Sequence, residues 1–236
     1  MAFASLVRST VGFGEALIAM PLLVQLLPLP EAAAFVATAA FLVSLMILGQ
    51  DWRSVRRRGL SGLVIASWLG VPVGFVLVAL APKPVVLLLL AGVILLFCGQ
   101  RVLLPLLRRP AWSLQSDRWA PGFGFAAGIL GGAYNTQGPP VVFFGALRGW
   151  TPREFRATIQ AFALATIPVV IGGHWFQGRY NSRVLTMCLA AAPCSWLAVV
   201  VGRWLHLRID AERFAHLVHL LLVIIAGLLI VRALQP

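Results

Sequence analysis

Charge is scarce in this sequence of 236 residues: 19 Lys and Arg and 7 Asp and Glu make up only 11% of the chain, against 60% hydrophobic residues. A soluble domain needs more polar side chains than that to cover its core, so a mean hydropathy of +0.92 places the chain in lipid and excludes a soluble domain. Alternating strand-like segments are also lacking, which excludes a membrane β-barrel. Cysteine is rare, and Cys98, Cys188 and Cys194 lack metal-ligand spacing, so they read as small core hydrophobes. His216 and His219 share a helix face but have no carboxylate nearby in sequence, and no metal site is expected there. No Ser/His/Asp or Cys/His set can be assembled from spacing, which argues against an enzyme, and no cofactor is implied. A net charge of +12 could suggest nucleic acid, yet no basic domain interleaved with aromatics exists to bind it. The opening MAFASLVRSTVGFG lacks the basic, apolar and small-residue regions of a signal peptide, so none is expected to be removed.

What is present is a succession of apolar runs, each long enough for the roughly 20 residues that a membrane helix needs. Reading them against their breakers gives eight segments, 2–29, 31–49, 60–81, 84–105, 120–147, 154–173, 184–205 and 214–234. The first and fifth are interrupted near their centres, by GFGEALIAMP (12–21) and GGAYNTQGPP (131–140). At a spacing of 119, Gly12 falls on Gly131 and Pro21 on Pro140; each break is followed by a Pro-led loop and a helix with an Ala-Thr pair, PEAAAFVAT (30–38) and PREFRAT (152–158). The expected organisation is therefore an all-α polytopic membrane protein of two four-segment repeats, 1–105 and 118–236, joined by a basic linker at 106–117.

Basic residues between the segments suggest orientation. If segments one and five enter and leave on the same face, one side collects the clusters at 53–58, 101–118, 148–156 and 203–213, which hold 14 of the 19 basic residues. Eight plain crossings give a weaker bias. Each half then contributes three full crossings, an odd number, so the repeats run inverted, and each begins with a broken, re-entrant helix whose arms reach the bilayer midplane.

Irregular backbone at membrane depth is tolerated only inside protein or a wet cavity. The stretch AYNTQG therefore reads as a hairpin tip, with Pro139 and Pro140 starting the second arm, where a missing N–H costs nothing. That arm's first turn is expected to offer N–H groups and the positive end of its dipole to an anion. Tyr134, Asn135, Thr136 and Gln137 bring polar side chains, and Gly131, Gly132 and Gly138 permit close backbone approach. In the first tip, Gly12 and Gly14 play the same part, and Glu15 is the only acid placed deep in a segment. Two roles are open to it: taking up a proton as an anion binds, or forming a structural ion pair with Arg8, which could also gate the site. Thr38, Ser44, Gln50, Thr158, Gln160 and Thr166 follow the tips and either line a path or bond neighbouring helices. His174 beside Trp175 reads as an interfacial anchor.

The paired stretches GFGEALIAMPLL and GGAYNTQGPPVVFFGALRG, followed by PREFRAT, resemble the TauE/SafE sulfite exporter family over nearly the whole chain. In the first copy GFGEA stands where that family has three glycines, and it brings in Glu15. The resemblance marks Gly12, Gly14 and Pro21 with Gly131, Gly132, Pro139 and Pro140 as motif positions. It implies transport of a small anionic solute such as sulfite or sulfoacetate across the bacterial inner membrane, coupled to an ion gradient, in a multi-pass protein whose partners are that solute and the lipid bilayer; a homo-oligomer is compatible with it. A passive anion channel is the alternative within transport, and a membrane-embedded enzyme or an adaptor lies outside it.

Overall fold

The computed structural model describes residues 1–107, 116–206 and 211–234, without the side chains of a few residues inside its helices. Ten α-helices are present among them, α1 (Ala2–Val11), α2 (Glu15–Leu23), α3 (Leu29–Asp51), α4 (Leu60–Leu80), α5 (Lys83–Leu107), α6 (Ala120–Tyr134), α7 (Gly138–Leu147), α8 (Pro152–Phe176), α9 (Ser182–His206) and α10 (Ala211–Leu234), and the described residues contain no strand. Two short helices precede three long ones, and then the same order recurs. The basic linker falls largely on residues outside the described ones, as do the side chains of Gln50, His216 and His219.

Local signals account for the boundaries. Gly12 (φ 96°) and Gly14 (φ 99°) adopt left-handed backbone that separates α1 from α2, and Asn135 (φ 59°) does the same after α6. Thr151 and Glu154 form a reciprocal capping box at the start of α8. Among the described residues, four helices are long and apolar enough to cross a bilayer: Leu29–Gly49, Leu60–Leu80, Arg153–Phe176 and Ser182–Gly202. Large apolar side chains such as Leu69, Leu96 and Leu189 face outward, as lipid contact requires.

Side-chain contacts fix how the helices run. Arg148, just past α7, pairs with Asp117, just before α6, at 2.6 Å, so α6 and α7 form a hairpin whose two ends lie together. Phe123 near the start of α6 stacks on Phe143 and Phe144 near the end of α7, which agrees. Met1 and Leu23 share an apolar cluster with Tyr180, and so α1 and α2 also form a hairpin, with its ends beside the α8–α9 connection. Helices α3 and α8 pack together, and Arg56 beyond the end of α3 meets Glu154 at the start of α8, whereas Glu31 at the start of α3 meets Asn181 beyond the end of α8. They are antiparallel. The α1–α2 hairpin opens at the Glu31 end of this pair and the α6–α7 hairpin at the opposite end, because the Cβ position of Gly59 in the α3–α4 connection lies against Asp117.

The closest packing is between α4 and α6. A Cβ on Gly124, Gly128 or Gly132 would overlap the carbonyl oxygens of Leu63, Ser67 and Val71 in turn, and one on Gly70 or Gly74 would overlap those of Phe125 and Ile129. Small residues at four-residue spacing let two membrane helices touch backbone to backbone. In the corresponding contact of α1 with α9, serines and a glycine serve instead: the Ser5 hydroxyl lies 3.4 Å from that of Ser195, Ser9 donates to the Ala198 carbonyl, and Gly202 leaves room for Ser9.

His174 is not the interfacial anchor that the sequence suggests. Its ring is fully buried, edge-on to Phe75, with Nδ1 3.0 Å from the Arg179 guanidinium. Trp175 beside it is the exposed aromatic.

Candidate functional site

The two tips meet. Phe13, Gly14, Glu15 and Ala16 from the first face Asn135, Thr136, Gln137 and Gly138 from the second across a cavity of about 50 Å³, several times the roughly 10–15 Å³ that one water needs. Ala40 near the middle of α3 and Ala163 near the middle of α8 complete the wall, so the cavity sits at mid-height of the two central helices.

Its strongest electrostatic feature is buried. Arg8 Nη1 lies 3.0 Å from a Glu15 carboxylate oxygen, with Glu15 1% exposed and Arg8 8% exposed. The hydroxyl of Ser5 donates to the other Glu15 oxygen at 2.7 Å. Arg8 Nη2 donates to Ser44 of α3 and to the Gln160 side-chain oxygen of α8, the latter at 2.8 Å. The amide nitrogen of Gln160 in turn donates to the carbonyl of Gly12 at 2.6 Å. One glutamine thus holds both the guanidinium and the backbone of the first tip. Taking two charges out of water is costly, and hydrogen bonds to both carboxylate oxygens and to both terminal nitrogens of the guanidinium make the pair tolerable.

Backbone geometry divides the tips. Glu15, Ala16 and Leu17 form the first turn of α2, and their N–H groups have no acceptor within the helix. Helix α7 begins at Gly138, one residue before the prolines, and with Pro139 and Pro140 next its first turn has one N–H to offer. The anion-favouring backbone expected of the second tip therefore belongs mostly to the first. The second tip supplies side chains: Gln137 accepts from Thr166 of α8 at 2.8 Å, and Thr136 reaches back to the Leu130 carbonyl.

Of the residues singled out in the sequence, Arg8, Gly12, Gly14, Glu15, Asn135 and Thr136 border the cavity, as do Gln137, Gly138 and Pro139. Gly131, Gly132, Tyr134 and Pro140 do not. Gly131 gives room to the Gln137 side chain, Gly132 lies on the α4 backbone, and Tyr134 is packed in the apolar cluster with Leu17 and Ile18. Pro140 faces an apolar groove beside α5. Thr38 bonds Tyr180 and Thr158 accepts from the Arg56 amide, both away from the cavity. Ser44 and Gln160 are the partners of Arg8 that spacing alone could not assign, since Thr38 in α3 and Thr158 and Thr166 in α8 were equal candidates. Among the described residues no group of His, Cys, Asp and Glu could hold a metal.

The family model of the sulfite exporter TauE/SafE matches residues 1–229. The chain belongs to the TauE/SafE family. A TauE/SafE relative from Cupriavidus necator, described as a probable sulfite/organosulfonate exporter TauE, is 28% identical over 212 residues, which cover 83% of this chain and 77% of the relative. No solved structure matches this TauE/SafE chain.

Proposed function

We propose that this protein is a secondary transporter that exports small sulfur-containing or organic anions, of the sulfite and organosulfonate class, across the bacterial inner membrane. The observation that carries this reading is the meeting of two tips, one from each half of the chain, around a buried Arg8–Glu15 pair at mid-height of α3 and α8. Family membership and the relative's description supply the class of solute.

The halves 1–105 and 118–236 act as inverted repeats. Support comes from the antiparallel α3 and α8, from hairpins that open at opposite ends, and from packing partners that exchange when the halves are swapped: α1 on α9 against α6 on α4, and α2 on α10 against α7 on α5. Such a layout suits alternating access around a fixed central site.

With Glu15 ionised, Arg8 is neutralised by the carboxylate that it pairs with. An incoming anion competes with Glu15 for the guanidinium. A proton on Glu15 removes that competitor, so proton and solute favour each other's binding, and the effect is reciprocal. The test is uptake of labelled sulfite and sulfoacetate into proteoliposomes, with acetate and sulfate as comparators, with and without an imposed proton gradient. Selective, saturable, gradient-driven flux is expected. Flux that rises linearly with concentration and ignores the gradient would make the protein a channel.

A further inference from the structure

One cavity group takes no part in the ion pair. Asn135 is 6% exposed, and neither its Oδ1 nor its Nδ2 meets a hydrogen-bond partner among the described residues, although its neighbours Thr136 and Gln137 are both bonded. A buried amide with both ends unpaired is a standing cost unless something in the cavity completes it. A half-turn of the amide exchanges its ends and leaves the same two demands, one for an acceptor and one for a donor.

We propose that Asn135 selects anions that carry a hydrogen-bond donor of their own, such as hydrogensulfite or an amino- or hydroxy-substituted sulfonate, over anions that can only accept. This rests on the reading of the cavity as the solute site. Any oxyanion satisfies the donors that line it, among them the α2 first-turn amides and the buried Nε of Arg8, which has no other partner among the described residues. Asn135 Oδ1 asks for the reverse. A fully deprotonated oxyanion turns only lone pairs towards it, whereas an O–H or N–H on the ligand pairs with Oδ1 while an oxygen of the same ligand takes Nδ2.

A competing account is that asparagine stands here because it tolerates the left-handed backbone of φ 59°. Glycine serves that conformation at least as well, so Asn135→Gly separates the two. Sulfamate and methanesulfonate provide the probes: both are singly charged and of one shape, and they differ only in an NH2 group against a CH3 group. Each would be titrated calorimetrically into the full chain in lipid nanodiscs. Wild type is expected to bind sulfamate about tenfold more tightly or better, and Asn135→Gly to lose that preference. Equal affinities in wild type, or a preference that survives in Asn135→Gly, would overturn selection by Asn135 alone. Wild type that binds neither anion overturns the cavity as the solute site and this inference with it. Equal affinities in wild type decide against the inference even if the variant does not fold.

Discussion

Arg8 and Glu15 hold each other in place, and each is also the reason the other can be tested. Removing the guanidinium in Arg8→Gln strands a buried carboxylate, and breaking a buried pair in this way costs about 3–5 kcal/mol; a clear fall in melting temperature in detergent is expected. The double variant Arg8→Gln/Glu15→Gln has no charge left to strand and should recover most of that loss while remaining inactive in sulfite flux. A double variant as unstable as the single one would show that the charges are not the cause. Glu15→Gln alone should keep solute counterflow but lose its response to an imposed proton gradient. Flux in that variant that still follows the gradient would exclude Glu15 as the coupling group. The sequence made both residues visible because Glu15 is the one acid within an apolar segment and Arg8 stands seven residues before it. It named Ser44 and Gln160 among the polar residues of α3 and α8 that line a path or bond neighbouring helices, but could not pair them with Arg8, because a hydroxyl or amide in a membrane helix announces no partner.

At the scale of elements, the hairpins were legible and the seam between α4 and α6 was not. Glycines and prolines in two corresponding segments mark breaks in the helix whatever surrounds them, and the breaks fall at Gly12–Gly14 and Asn135–Gln137. Gly124, Gly128 and Gly132 carry the spacing of close helix contact, a signal present in the sequence, but two of the three lie outside the polar stretch that marks the tip. Their partner helix lies in the other half and has no pattern that names them. The first-turn amides of the second tip were overestimated because the helix starts at Gly138, which leaves both prolines within the turn. Gly128→Val should push α6 off the Ser67 carbonyl, costing roughly 1–3 kcal/mol or more by overpacking; Gly122→Val, whose Cβ would meet open space, is the control and should melt near wild type apart from a small propensity term. Equal melting temperatures for the two would refute the seam as a stability determinant.

For the whole molecule, orientation is the open quantity that sequence approached through charge. Of the basic residues gathered on one side by a re-entrant reading, Arg56, Arg118 and Arg148 lie in the structure at the end that carries the α3–α4 connection, Asp117 and the start of α8. In a chain whose Cys98, Cys188 and Cys194 are replaced by alanine, a single cysteine at exposed Arg57 should be labelled by an impermeant maleimide only from the cytoplasmic side, and one at exposed Ser182 only from the other. Labelling of both from one side would rule out the antiparallel arrangement in the membrane.

The glycine face of α6 is covered by α4, from before the linker, and the serine face of α1 by α9, from after it. The helices that pack most closely therefore come from different halves of the sequence. If a duplication produced the two halves, a single copy could bury these faces only against a second, upside-down copy of itself, so the ancestral form was an antiparallel homodimer and fusion made that pairing permanent. Under the alternating access proposed above, the bodies that move past each other would then be mosaics, each stitched from both copies, and neither copy could evolve its packing surface without an answering change in the other.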